Sequence, residues 1–140
     1  MATETKRHAS GQCLCGKVRY EVRGPLGGPS ACHCGQCRRQ SGHFVVATSA
    51  RRDDFVLLES STLAWYRSSA VAKRGFCSAC GTPLLWDDGS EHLSLSVGSL
   101  DQPTGLKLAK HIFVDDKADY YEIDDDLPKF AGHDTPLVRK

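Results

Sequence analysis

Residues 17–23 alternate strictly, with Val18, Tyr20 and Val22 on one side and Lys17, Arg19, Glu21 and Arg23 on the other. A period of two puts the apolar side chains on one face, so this stretch is predicted to be a half-buried strand. Gly24-Pro25 ends it, and Gly27-Gly28-Pro29 makes a loop. Further strands are predicted at residues 44–48, 55–58, 63–66, 83–86 and 92–97, the last alternating through Leu93, Leu95 and Val97. Residues 106–114 and 120–123 read as two more, with Asp124-Asp125-Asp126 and Pro128 as a turn. Residues 34–40 are predicted to form a short helical turn closed by Gly42. Short strands separated by turn signals define a mainly β domain. The polar stretch 1–10 is expected to be a disordered tail and 11–140 a single domain.

Composition changes this picture little. The 140 residues are 40% apolar and 25% charged, with a net charge of +1. That balance, with no basic stripe interleaved with aromatics, speaks against nucleic acid as a partner. No apolar run approaches a membrane span, and the first ten residues lack the apolar stretch of a secretory signal. The expectation is a cytoplasmic protein whose thiols stay reduced.

The cysteines carry the chemistry. They fall in three segments: Gln12-Cys13-Leu14-Cys15-Gly16, Cys32-His33-Cys34-Gly35-Gln36-Cys37 and Phe76-Cys77-Ser78-Ala79-Cys80-Gly81. Seven is odd, so intramolecular disulfides cannot use them all, and clustered thiols in a reducing compartment point to metal. A glycine follows Cys15, Cys34 and Cys80, where it would let the backbone turn tightly around an ion. Structural zinc closes a four-ligand shell, whereas catalytic zinc keeps a position open. Cys32, Cys34 and Cys37 can supply three thiolates from one segment. Cys13, Cys15, Cys77 and Cys80 would then close the other site and staple the start of the domain to its middle. The competing arrangement makes all seven structural, with His33 or another histidine as an eighth ligand. His33, between two ligands, is expected to point away from the metal. His111 is expected to be a strand histidine with a hydrogen-bond partner, and Trp65 and Trp86 to be core or half-exposed strand residues.

These segments resemble the glutathione-dependent formaldehyde-activating enzyme family, which also includes centromere protein V. The resemblance rests on Gly11-Gln12-Cys13-Leu14-Cys15-Gly16-Lys17-Val18-Arg19-Tyr20, on Cys32-His33-Cys34-Gly35-Gln36-Cys37-Arg38 with Ser41-Gly42, and on Phe76-Cys77-Ser78-Ala79-Cys80-Gly81-Thr82-Pro83-Leu84. Gly98-Ser99-Leu100-Asp101, His111-Ile112-Phe113-Val114 and Leu127-Pro128 complete it. The resemblance implies a β-tent fold, mainly antiparallel sheets around a structural zinc held by Cys13, Cys15, Cys77 and Cys80. It implies a second zinc on Cys32, Cys34 and Cys37, taken as the catalytic group. It also implies a carbon–sulfur lyase activity, the reversible addition of glutathione to formaldehyde to give S-(hydroxymethyl)glutathione. Arg38, Arg39 and Arg74 flank the cysteine segments and are the expected holders of glutathione's carboxylates, because arginine matches carboxylate geometry. The alternative within the same fold is a non-catalytic zinc-binding interaction module.

Overall fold

The structure, a computed structural model, describes residues 9–133. Strands β1 (Ala9–Gln12), β2 (Val18–Val22), β3 (Ser30–Cys32) and helix α1 (Gly35–Ser41) come first. Strands β4 (Val45–Arg51), β5 (Phe55–Ser60), β6 (Leu63–Arg67), β7 (Lys73–Cys77), β8 (Pro83–Asp87), β9 (His92–Ser96) and β10 (Lys110–Ile112) follow. They form a three-stranded sheet in the order β1-β2-β5 and a seven-stranded sheet in the order β10-β3-β4-β9-β8-β7-β6. The mainly β architecture expected from the sequence is therefore present. Every named pairing is antiparallel except β10 with β3, which run parallel with His111 opposite Ala31.

The alternation in β2 places the core. Val18, Tyr20 and Val22 are all buried, and they pack with Ala50, Leu84, Leu85, Leu95 and Leu100. The small sheet thus lies on the large one through the apolar face that the sequence pattern marks out. Tyr20 keeps its hydroxyl satisfied inside this core, 2.6 Å from Ser99 Oγ.

Three expectations are corrected. Ala9 and Ser10 belong to β1 and pair with Val22 and Glu21, so they are not tail; residues 1–8 lie outside the described residues. Only Lys110–Ile112 of the stretch 106–114 is a strand. Residues 120–123 form no strand, because Tyr120 and Tyr121 turn their rings onto His43 and His33 instead of joining a ladder. Strands β3 and β7 were not anticipated.

Candidate functional site

Cys13 and Cys15 leave the end of β1, while Cys77 ends β7 and Cys80 follows in the turn. The four Sγ atoms lie within 4.8 Å of one another. Cys13 to Cys15 and Cys15 to Cys77 are each 3.7 Å. Four thiolates at about 2.3 Å from one ion, arranged tetrahedrally, stand about 3.8 Å apart. These two separations match the edge of a zinc-sized tetrahedron and are far longer than a disulfide, for which S–S is about 2.05 Å. This cluster joins the small sheet to the large one.

Hydrogen bonds surround these sulfurs and lower two of them, Cys77 and Cys80. The amides of Val18 and Cys80 donate to Cys13 Sγ and Cys77 Sγ at 3.3 and 3.4 Å. The hydroxyls of Thr62 and Thr82 lie 3.2 Å from Cys77 Sγ and Cys80 Sγ. Thr82's hydroxyl is the main influence that holds Cys80 down to about 5, and Thr62's likewise lowers Cys77. Gly16 and Gly81 close the two turns at φ 81° and 85°, in the left-handed region where a side chain is strained. Gly35 has no such need; it opens α1 and faces open space, so the reading of three turn glycines holds for two.

The second cluster is Cys32, Cys34 and Cys37, again within 4.8 Å, and among the described residues it has three members. Cys32 ends β3, Cys34 is the N-cap of α1, and Cys37 lies one turn in and is buried. Cys34 Sγ accepts the Cys37 amide at 3.4 Å, and Gly42 closes the helix at φ 96° as expected. Hydrogen bonds from Cys32 and Cys37 hold Cys34 down to about 2, and Cys34 in turn pushes Cys32 up.

All three sulfurs line a cleft of about 440 Å³, the size of a small-molecule site. Arg74, Trp86, Lys110, Phe113, Ser49 and Ser94 also line it. Of the arginines named from the sequence, only Arg74 reaches the cleft; Arg39 is exposed on α1 and Arg38 half-buried, and neither is among its lining residues. Arg74 is not a surface charge: it is 7% exposed. Its guanidinium faces Cys37 Sγ at 3.8 and 3.9 Å and donates to Gln36 and Gln40 of α1 at 3.1 and 3.3 Å. Its Nε is buried with no hydrogen-bond partner among the described residues. Phe113 is held at φ 56°, a conformation that costs a bulky residue about 1–2 kcal/mol, where it forms part of the cleft wall.

His33 turns away from the sulfurs, as expected. It is 1% exposed, with Nδ1 2.5 Å from the Tyr121 hydroxyl and Nε2 2.9 Å from His111 Nδ1. His111, in β10, completes the chain through Nε2 to Asp125 at 2.9 Å. Burial, followed by the nearby His111, pulls His33 down to about 4, so its ring is neutral at physiological pH. From the sequence, Trp86 is a strand residue, Phe113 part of the family stretch and Asp125 part of a turn, and none of these, nor Lys110 or Tyr121, is assigned to the site. No local pattern marks them, since they meet the site only through the fold.

Fold and site together define a small β protein with one cysteine centre that joins two sheets and another that opens into a cleft. The sequence model of the family described as glutathione-dependent formaldehyde-activating enzyme matches residues 8–116, and the chain belongs to that family. An uncharacterized lyase of Schizosaccharomyces pombe is 27% identical over 114 residues, covering 80% of this chain and 82% of that protein. A crystal structure of a Rhodobacter sphaeroides protein superposes with a TM-score of 0.58 at 29% identity, covering 69% of this chain and 91% of that one. No helix among the described residues is long and apolar enough to cross a membrane.

Proposed function

We propose that this chain is a zinc-dependent carbon–sulfur lyase acting on a thiol–aldehyde adduct, with S-(hydroxymethyl)glutathione as the first substrate to test. The observation that carries this reading is the three-sulfur cluster lying in the wall of a small-molecule-sized cleft, while the four-sulfur cluster is committed to joining the sheets. Family membership and the lyase relative support the same class of reaction.

In this reading Cys13, Cys15, Cys77 and Cys80 hold a structural zinc, and Cys32, Cys34 and Cys37 hold a second. The second zinc, when bound, supplies a soft Lewis acid that favours the deprotonated form of a nearby thiol. In the synthetic direction the thiol gives up its proton, its sulfur adds to the carbonyl carbon, and the resulting alkoxide takes up a proton. The reverse direction breaks the same carbon–sulfur bond.

The chain's own residues bind and orient. Arg74 brings one positive charge against Cys37, offsetting the negative charge that three thiolates and an incoming sulfur concentrate there. Trp86 and Phe113 give the cleft apolar walls, and Ser49, Ser94 and Lys110 give it polar points for a peptide-like thiol. Arg74 and Lys110 are therefore preferred to Arg38 and Arg39 as partners of glutathione's carboxylates. A titration with glutathione followed by NMR tests the site. Shifts should cluster at the Trp86 indole and the amides of Ser49 and Ser94, and should vanish in Cys34→Ser. Shifts scattered elsewhere, or unchanged in Cys34→Ser, would remove this cleft as the thiol site.

A further inference from the structure

The three-sulfur cluster is backed by a line of polar groups that takes no part in the chemistry just described. We propose that Asp125 is a positioning residue for Cys32, Cys34 and Cys37, acting through His111 and His33; this rests on the reading that the cluster is a functional metal centre.

Asp125 sits at the surface, its side chain 44% exposed, and is itself fixed in place. The Leu127 amide donates to its Oδ1 at 3.0 Å and Lys129 Nζ approaches the same oxygen at 3.3 Å. The hydrogen bond from His111, ahead of every other influence, holds its carboxyl down to about 2, so it is an acceptor and nothing else. That single constraint propagates. When each ring carries a single proton, His111 holds its proton on Nε2 to donate to Asp125. Its bare Nδ1 then accepts from Nε2–H of His33. The bare Nδ1 of His33 accepts from the Tyr121 hydroxyl. Every ring nitrogen in this buried line is satisfied, and one surface carboxylate sets both tautomers and the direction of the hydroxyl.

The consequence lies at His33. Successive residues of an extended chain point to opposite sides, so Cys32 and Cys34 face the cleft while His33 faces the interior. His33 is thus the tether behind two ligands. Its amide also donates to the Ile112 carbonyl at 3.1 Å, and its ring packs on Phe44 at 4.8 Å between centroids. Holding both ends of its ring fixes the backbone from which the two sulfurs project. Removing the carboxylate lets the whole line reverse its donors and acceptors.

The test uses the full chain loaded with zinc and the variants Asp125→Asn and Asp125→Glu. Long-range ¹H–¹⁵N NMR at pH 8 should find both His33 and His111 in the Nε2–H tautomer in the parent. Asp125→Asn, whose amide can donate as well as accept, should give mixed tautomers. It should also lower zinc affinity at the three-sulfur centre by up to about tenfold, the low end of what losing a direct partner of a ligand costs, and leave the four-sulfur centre unchanged. Asp125→Glu should restore both readings. Parent-like tautomers and affinity in Asp125→Asn would overturn the proposal, as would an equal loss at both centres, which would make the role merely structural. If the affinity split holds but no variant accelerates thiol–aldehyde exchange, positioning stands and the lyase reading falls.

Discussion

Cys15 and Cys77 are separated by 62 positions in the chain and by 3.7 Å between their sulfurs. One follows the first strand of the small sheet and the other ends a strand of the large sheet, so their contact is a crosslink between layers. Metal bound there is bound only by the folded state, and its binding free energy becomes folding free energy. Cys77→Ser should therefore lower the melting temperature by about 10 °C or more, the shift that a loss of several kcal/mol gives a domain of this size. Thermal melting with metal analysis checks this. A variant that melts like the parent contradicts the structural assignment.

The second cluster should behave differently. Cys32, Cys34 and Cys37 come from one short segment and close only a small loop, which constrains the unfolded chain little. Cys34→Ser should lose about one equivalent of zinc, as a four-plus-three division of ligands requires. Its circular dichroism should match the parent's, and it should melt within a few degrees of the parent. Failure to fold would make this centre structural and weaken the catalytic reading.

Arg74 gives a third expectation. Its fork spans Cys37, Gln36 and Gln40 at once, a geometry that an ammonium group cannot reproduce. A buried hydrogen bond between charged partners contributes about 1.5–3 kcal/mol. Arg74→Gln should weaken glutathione binding by roughly ten- to a hundredfold on that scale, and Arg74→Lys should restore only part of it. Isothermal titration checks both. Parent-like affinity in Arg74→Gln would show that the guanidinium plays no part in holding the ligand.

The sequence carried some of this architecture and hid the rest for identifiable reasons. Strand β2 was legible because one face is buried and the other solvated, and α1 because Gly42 takes the left-handed cap. The division of cysteines was legible because local spacing limits which sulfurs can share an ion, and both clusters came together as expected. Strand β7 was not, since Lys73, Arg74 and Gly75 show no apolar alternation, although Arg74 and Gly75 are buried. Strand β3 is three residues long and runs into a cysteine segment. The line from Tyr121 through His33 and His111 to Asp125 joins positions up to 88 apart, and only the parallel pairing of β10 with β3 and the path of the segment beyond it bring them together.

The most direct test of the account is the rate at which S-(hydroxymethyl)glutathione exchanges with glutathione and formaldehyde, followed by exchange NMR. The thiol adds to formaldehyde without any protein, so rate, and not product, is the readout. The zinc-loaded parent should accelerate exchange well above buffer, and Cys34→Ser, still folded, should return it to the buffer rate. Equal rates for parent, variant and buffer would contradict formaldehyde activation by this chain.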